Sequence, residues 1–198
     1  MIVSKRTKTC RNCGTEFLAY FNKTQKACSV ACAAALGKVK TAKDAARVER
    51  KDIAKRKEAL KTRQQWLAEA QQAFNEFIRT RDAGLPCISS GVYVTAGDSL
   101  GGDMDGGHYR SVGSAPHMRF VEDNCHGQSK HDNRYLAGNV VEYRKGLIAR
   151  IGLERVEAVE ADNATRKYDA DDLKALKAHY KARTKALLAE RELNGEAA

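Results

Sequence analysis

Side chains suited to hydrolysing a phosphodiester cluster between Asp105 and Asn133 of this 198-residue chain. The reaction needs a base that activates water and a hard cation that stabilises the charge developing at phosphorus. His108 can serve as the base, whereas Asp105 and Asn133, with His126 as an additional ligand, offer donors that suit Mg²⁺ or Mn²⁺. The pattern therefore favours metal-dependent cutting of a nucleic acid.

Asn124 fits a different role, which is to brace a loop. Its side-chain amide can hold the backbone near the base and so fix the orientation of His108. This order of residues is typical of a ββα-metal (HNH-type) nuclease unit. It predicts strands at residues 108–110 and 118–121, a helix from Arg134, and a strand and turn at 87–95. The spacing of such units is loose, and an ordinary, partly exposed histidine is the alternative for His108.

Four of the six cysteines form two close pairs, Cys10 with Cys13 and Cys28 with Cys32. Two such pairs can place four thiolates tetrahedrally around one Zn²⁺, which supplies folding energy that a short segment cannot obtain from a core. A four-thiolate site has no open position for water, so the zinc is predicted to be structural. Four unrelated buried thiols are the alternative.

The positive charge is concentrated in the N-terminal part. Of the formal net charge of +10, residues 1–82 carry +11 and the remainder −1. A polyanion such as DNA is the natural partner, because neutralising phosphates releases counterions. A solvated basic helix kept for solubility is the alternative. The candidate nucleic-acid contacts are Lys5, Arg6, Lys8, Arg11, Lys23, Lys26 and Arg110.

Residues 38–82 contain no proline or glycine and are rich in good helix formers, which predicts a long basic helix as a connector. Its first half is polar all round and suits an exposed rod or a phosphate-facing arm. Its second half carries an apolar stripe that is predicted to pack in a core and not to stack on bases. The stripe consists of Trp66, Ala70, Phe74, Phe77 and Ile78.

Further helices are predicted at residues 139–150, 153–160 and 172–193, the last capped by Asp169 or Asp171. The last helix has its own stripe, which is expected to pack on the aromatic stripe; a homodimer seam is the alternative. That stripe consists of Leu173, Leu176, Tyr180 and Leu187.

The resulting fold class is α+β, in four parts. An N-terminal zinc finger with four cysteine ligands spans residues 1–37, the basic connector 38–82, an HNH-like core 83–152, and C-terminal helices 153–198. No apolar run approaches the roughly 18 residues of a membrane span, and the N-terminus lacks an apolar signal segment. An intracellular protein without a membrane partner is therefore expected.

Several motifs together carry a family resemblance. They are Gly84-Leu-Pro-Cys-Ile-Ser-Ser-Gly91, Gly107-His-Tyr-Arg-Ser-Val-Gly113, Asn124-Cys-His-Gly-Gln128 and Gly138-Asn-Val-Val-Glu-Tyr-Arg144. With the four N-terminal cysteines, they make nearly the whole chain similar to the phage NinG (Rap) recombination-protein family. The resemblance implies a structure-specific endonuclease that acts on branched recombination intermediates such as Holliday junctions and D-loops. It also implies branched or single-strand-containing DNA as partner, phage or host recombination proteins as candidate partners, and the cytoplasm of an infected or lysogenic bacterium as location.

Carried over by position, His108 falls on the family's Gly-His-Tyr histidine, Asn124 and His126 on its Asn-x-His, and Asn133 on the asparagine after its second cysteine knuckle. Asp105 falls where a histidine, aspartate or cysteine commonly precedes the Gly-His-Tyr triplet.

The chain departs from the family at a second zinc site. Four cysteines of the family correspond here to Cys87, Ser90, Ser129 and Asp132, so a tetrahedral zinc is not expected there. The departure suggests either a zinc-free variant held by packing or a degenerate nuclease that binds DNA without cutting it. A further alternative at this place is a surrogate metal site, which would use Cys87, Cys125, His131 and Asp132. For the protein as a whole, a further alternative is a zinc-dependent protein adaptor, whose DNA binding would be weak and insensitive to salt.

Overall fold

The structure, a computed structural model, describes residues 7–20, 24–94 and 104–195, and the chain divides into two units, residues 1–60 and 61–198. The mixed helix and sheet composition confirms the predicted α+β class. No helix in the described part of the chain is both long and apolar enough to cross a bilayer.

The first unit contains a small hairpin followed by one long helix. Strands β1 (Thr7–Thr9) and β2 (Glu16–Leu18) pair antiparallel, with Lys8 opposite Phe17. Helix α1 (Val30–Ala59) begins where the side chain of Ser29 accepts a hydrogen bond from the N–H of Cys32. No described residue of α1 is buried within the unit, which agrees with a polar first half of the connector.

The predicted connector is divided into two helices. Helix α1 ends at Ala59, and α2 (Arg63–Arg81) starts after an extended Thr62, although neither proline nor glycine is present. The cause is a capping box: Thr62 accepts from the N–H of Gln65, and the Gln65 side chain accepts from the N–H of Thr62. The expectation of one continuous helix over residues 38–82 was therefore wrong.

The core of the second unit lies between α2 and the last helix, α5 (Ala170–Leu193). Asp169 caps α5 as predicted. The predicted stripes face each other, because Phe74 and Phe77 of α2 lie 4.9 and 5.3 Å, centroid to centroid, from the ring of Tyr180. The interpretation of both stripes as intramolecular core is thus confirmed, and it extends to Trp66, Ala70, Ile78, Leu173, Leu176 and Leu187.

A second hairpin packs against α2. Strands β3 (Met104–His108) and β4 (Cys125–Ser129) pair antiparallel, with His108 opposite Cys125 and Asp105 opposite Gln128. The strand predicted at residues 118–121 is instead a 3-10 helix (Pro116–Met118) followed by a turn. Met118 and Phe120 alternate as in a strand, but they are buried in two different apolar clusters.

The chain leaves β4 through a π-helical turn (His131–Tyr135), and not through the α-helix predicted from Arg134. Left-handed backbone at Ala137, Gly138 and Asn139 separates this turn from α3 (Val140–Ile151). Helix α4 (Leu153–Ala161) follows directly after Gly152, and both helices match the prediction closely.

Helix α3 lies directly against the turn at residues 87–91, where the predicted strand is absent within the described residues up to 94. A Cβ on Gly146 would lie 1.8 Å from the carbonyl oxygen of Ile88, so only glycine permits this approach. Tyr143 of the same helix donates its hydroxyl proton to the carbonyl of Gly107 (2.7 Å) and accepts from the N–H of His126 (3.0 Å). Helix α3 thereby fixes both strands of the second hairpin.

Candidate functional site

The four N-terminal cysteines form one cluster. The Sγ atoms of Cys10, Cys13, Cys28 and Cys32 all lie within 4.8 Å of one another. The side chain of Asn12 donates to Sγ of Cys32 (3.4 Å), and the N–H of Cys28 donates to Sγ of Cys10 (3.4 Å). The donor set and its compactness fit a four-thiolate zinc ion, as predicted.

The cysteines of this cluster differ in acidity. Backbone hydrogen bonds, first from Cys13 and also from Cys28, lower the pKa of the Cys10 thiol to about 6. The hydrogen bond with Thr15 lowers the pKa of Cys13. Hydrogen bonds with the neighbouring thiols, first Cys13, raise the pKa of Cys28 to about 12. Cys10 therefore ionises more readily than Cys28.

The basic residues expected around the zinc are described only in part. Arg11 and Lys26 are exposed, whereas Lys8 is half-buried and its Nζ donates to the carbonyl of Gln25 (3.4 Å). The predictions for Lys5, Arg6 and Lys23 lie outside the described residues.

His108 ends β3 and is held in one orientation. Its Nε2 lies 3.0 Å from the carbonyl oxygen of Arg119, and its ring packs 6.0 Å, centroid to centroid, from Phe74. Because a carbonyl only accepts, Nε2 carries the proton and Nδ1 keeps its lone pair. Burial lowers the pKa of His108, against the hydrogen bond to Arg119, which raises it. The imidazole is therefore neutral at pH 7, and its Nδ1 lone pair faces the buried thiol of Cys125, whose Sγ lies 3.8 Å away.

Asn124 holds the loop that contains the acceptor for His108. Its Oδ1 accepts from the N–H of Arg110 (2.8 Å), while its Nδ2 donates to the carbonyls of Arg110 (3.0 Å) and Met118 (3.3 Å). The side chain is fully buried. Asn124 thus braces both ends of the loop that positions Arg119, and its catalytic significance stays a prediction.

Asp105 and Asn133 are in contact. Nδ2 of Asn133 donates to Oδ2 of Asp105 (3.2 Å), which brings together two of the predicted metal ligands from distant parts of the sequence. Arg134 also binds Asp105, with Nε 2.8 Å from Oδ2 and Nη2 3.2 Å from Oδ1. The arginine side chain is 59% exposed, so this ion pair can be displaced by a competing cation.

His126 belongs to a different, buried cluster around Asp82. Its Nδ1 lies 3.0 Å from Nη2 of Arg81 and 3.7 Å from Oδ2 of Asp82, and Nη1 of Arg150 lies 3.7 Å from the same carboxylate oxygen. Burial opposes ionisation of Asp82, but the nearby His126 and the hydrogen bonds from Arg81 and from the N–H of Gly127 keep its pKa well below the usual range. Burial lowers the pKa of His126.

The surroundings of His126 do not fit a divalent cation. Its Nε2 is buried without a hydrogen-bond partner among the described residues, as an orphaned ligand atom would be. However, the guanidinium groups of Arg81 and Arg150 next to it would repel a metal ion. The structure therefore assembles Asp105 with Asn133 but does not bring His126 to them through any described contact.

His108 is likewise separated from the Asp105–Asn133 pair. Side chains alternate along a strand, so Asp105 and His108 of β3 point to opposite faces of the hairpin. Arg110 is committed to structure, because its guanidinium donates to the carbonyl of Val159 (3.0 Å) and to Oδ1 of Asn163 (3.0 Å). It is thus not left free for phosphate.

The residues that correspond to the family's second zinc site also meet in space. The Ser129 hydroxyl donates to Oδ2 of Asp132 (2.6 Å), which the thiol of Cys87 also approaches (3.4 Å). Ser90 hydrogen-bonds the same carboxylate. The surrogate site with Cys125 and His131 is not formed: His131 is exposed, and Sγ of Cys125 lies 3.8 Å from Nδ1 of His108.

Sequence reasoning missed Asp82 and Arg119. The carboxylate of Asp82 accepts a hydrogen bond from the N–H of Gly127 (2.7 Å) and lies close to His126. Arg119 supplies the carbonyl that orients His108. These contacts join residues 11 to 45 positions apart. No local pattern could indicate them, although a charged pair at the end of an apolar helix is a weak signal for a buried ion pair.

Comparisons with known proteins agree with one another. The chain matches the family model described as "Bacteriophage Lambda NinG protein" over residues 3–191. It is 43% identical to "Protein ninG" of Salmonella phage P22 over 143 residues, which cover 72% of this chain and 66% of the relative. It is 44% identical to "Protein ninG" of Escherichia phage lambda over 132 residues, which cover 67% and 62%. The chain thus spans just under two thirds of the length of these curated relatives, and no solved structure matches it.

Proposed function

The chain belongs to the NinG family of bacteriophage proteins, and on that premise we propose that it is a metal-dependent endonuclease that cuts branched DNA during phage recombination. The observation that carries the proposal is the tautomer of His108. Its Nε2–H is donated to the Arg119 carbonyl, so Nδ1 is the proton acceptor. This is the arrangement that a general base needs.

The proposed step is hydrolysis of one phosphodiester bond. Once the Cys125 thiol has turned away from Nδ1 of His108, Nδ1 takes a proton from water and the water oxygen bonds to phosphorus. The bond from phosphorus to the leaving sugar oxygen breaks, and that oxygen takes a proton from solvent water. As Nδ1 gains the proton, the hydrogen bond from Nε2 to the Arg119 carbonyl becomes charge-assisted and stronger. Asn124 keeps that carbonyl in place by holding the loop at Arg110 and Met118.

Asp105 and Asn133 are the residues that would hold Mg²⁺ or Mn²⁺, after displacement of Arg134 from the carboxylate. When bound, the cation would supply positive charge to a DNA phosphate on the face of the hairpin that carries Asp105, opposite His108. The four-cysteine cluster would hold a structural zinc, and the basic residues around it would contact the DNA backbone.

A second candidate function is a DNA-binding recombination accessory that does not cut. It is favoured by the position of Asp105, which faces away from His108 and whose two carboxylate oxygens both contact Arg134. In that case the four-cysteine cluster and the basic residues around it would bind DNA, and no cleavage would follow.

The test is cleavage of a labelled four-way DNA junction in Mg²⁺, in Mn²⁺ and in EDTA. We expect metal-dependent cleavage by the wild-type protein and its loss in His108→Ala. His108→Gln is a second variant, because its amide N–H can still donate to the Arg119 carbonyl but cannot take a proton from water. The matched control is His131→Ala, which removes an exposed histidine and should cleave normally.

The pH dependence provides a further check. Because burial lowers the pKa of His108, the base is active above that pKa and cleavage should fall as the pH drops through it. Tight binding of the junction by the wild type without cleavage in either metal would contradict the nuclease and leave the accessory function.

A further inference from the structure

A groove along one face of α2 has the chemistry of a nucleic-acid site. We propose that this α2 groove, defined by Gln64, Gln71, Asn75, Arg79 and Arg119, binds the sugar–phosphate backbone of the DNA strand presented to His108. The inference rests on the function proposed above and assigns its substrate-binding surface. The groove encloses about 550 Å³, within the range of ligand clefts.

The two arginines of the groove lack anionic partners. Several other arginines of this unit pair with carboxylates, as Arg134 does with Asp105 and Arg144 with Glu160. Among the described residues, neither Arg79 nor Arg119 forms an ion pair, and the groove is lined by no Asp or Glu. A concave surface with two unneutralised guanidinium groups attracts an anion such as phosphate.

Arg119 is held in place within the groove. Its Nη1 donates to Oε1 of Gln71 (3.1 Å), and Nε2 of Gln71 donates in turn to Oδ1 of Asn75 (2.7 Å). This chain of bonds orients one guanidinium and leaves its other N–H groups available. Burial and the nearby Arg63 lower the pKa of Arg119, as expected for a cation that has no carboxylate beside it.

The groove adjoins the strand that carries His108. A Cβ on Gly106 would lie 3.5 Å from Oδ1 of Asn75, so the wall of the groove touches β3 two residues before His108. At the other side, Arg119 contributes its guanidinium to the groove and its carbonyl to His108. A strand seated on the arginines therefore lies beside β3 and Arg119, the two segments that hold the imidazole.

The chemistry of the wall favours backbone contacts over reading of base sequence. Arginine binds phosphate through paired N–H groups, and amides such as Gln64 donate to phosphate and sugar oxygens. Gln64 is exposed, and its side chain makes no hydrogen bond to a described residue. A sequence-tolerant site of this kind suits a protein that recognises the shape of a junction.

The test measures binding of a labelled four-way junction in EDTA by the full chain, so that cleavage is not required. Arg79→Glu should weaken binding by at least about tenfold, and Arg79→Gln should lower the slope of log affinity against log salt by about 1. The matched control is Lys185→Glu, the same reversal of charge at an exposed site on α5, which should change affinity by less than about twofold. Thermal melting confirms that each variant is folded.

The outcomes separate this inference from the proposed nuclease. Unchanged binding by folded Arg79→Glu would overturn the groove, even if the wild type cleaves. Loss of binding in that variant, with no cleavage by the wild type in any metal, would support the groove and contradict the nuclease. If polyglutamate displaced the junction and bound with the same dependence on Arg79, the groove would be an acidic-peptide site and the DNA assignment would be wrong.

Discussion

The turns that begin at Cys10 and at Cys87 have the same pattern of backbone hydrogen bonds but differ in their side chains. In the first, the N–H of Cys10 donates to the carbonyl of Thr15 and the N–H of Gly14 to that of Cys10, both at 2.9 Å. In the second, the N–H of Cys87 donates to the carbonyl of Val92 and the N–H of Gly91 to that of Cys87, again at 2.9 Å. Each turn ends on a left-handed glycine, with φ of 76° at Gly14 and 68° at Gly91.

The parallel extends to the first cysteine of each turn. Sγ of Cys10 accepts the N–H of Cys28 at 3.4 Å, and Sγ of Cys87 accepts the N–H of Ser129 at 3.2 Å. The other positions differ. The first turn has three more thiols around Cys10, whereas the second has two hydroxyls and the carboxylate of Asp132.

The units that contain the turns explain the difference. In the described part of the first unit, only Cys10 and Ala27 are buried apolar residues, so the hairpin has almost no core to stabilise it. The second turn lies in a unit with a large core, where Ile88 packs with Tyr143 and Leu147. We therefore expect a knuckle backbone to need a metal where packing is absent and to be held by hydrogen bonds where packing is present.

Removal of metal should give the largest difference between the two turns. With a strong chelator we expect the hairpin of residues 7–18 to lose its protection against amide exchange, because the described residues of its unit bury almost no apolar surface. The amides of α2, β3, β4 and α5 should keep theirs. The purified protein should contain one zinc per chain by elemental analysis.

Cys13→Ser is the matched variant for this experiment and should lose zinc without chelator. Two zinc ions per chain, or parallel loss of protection in both units, would show that the second turn also depends on metal and would remove the contrast.

Converting the second turn into the first is the next largest change. The triple substitution Ser90→Cys, Ser129→Cys and Asp132→Cys places four thiols on a knuckle backbone that is already formed. We expect zinc content to rise from one to two per chain, with tetrahedral thiolate coordination in the Co²⁺ absorption spectrum.

A control triple variant adds the same thiols where they do not converge. Ser111→Cys, Glu154→Cys and Asp171→Cys lie at exposed positions on three separate segments and should leave zinc content at one per chain. If the first triple variant folds but binds no second zinc, the backbone hydrogen bonds common to the two turns are not sufficient to place four thiolates around a zinc ion.

The features that could be predicted from sequence are those with local or periodic causes. The paired cysteines, the stripe around Phe74 and the caps at Asp169 and Gly152 each show their structure within a few residues. The sequence also contains the signal for the break after α1, which is the capping box of Thr62 and Gln65. The absence of glycine and proline nevertheless led to the prediction of one continuous helix.

The features that could not be predicted depend on tertiary contacts. Strand β4 has the sequence Cys-His-Gly-Gln-Ser, which lacks the β-branched residues that favour strands, and it is held by pairing with β3 and by Asp82. His126 resembled a metal ligand in sequence, but the arginines that surround it come from α2 and α3. Spacing could place the histidine near the site but could not reveal its neighbours.

Asp132→Ala tests the hydrogen-bonded turn with a smaller effect. The carboxylate accepts from Ser129 (2.6 Å) and from Nδ2 of Asn139 (2.9 Å), and its loss leaves these buried or half-buried donors unpaired. We expect the free energy of unfolding of the second unit to fall by about 1–3 kcal/mol in urea titrations at pH 7. Glu157→Ala, at an exposed acidic site, should change it by less than about 0.5 kcal/mol.

The same variant should lose its effect in acid. Burial raises the pKa of Asp132, but hydrogen bonds from Ser129 and Asn139 outweigh it, so the folded-state pKa is lowered. The carboxylate therefore contributes stability above the unfolded pKa of about 4, and this contribution disappears as the pH falls through the folded value. The difference in unfolding free energy between wild type and Asp132→Ala should shrink between pH 5 and about pH 3. A difference that stays constant over this range would mean that Asp132 acts by filling space and not as an ionised acceptor, and the second turn would then be held by packing alone.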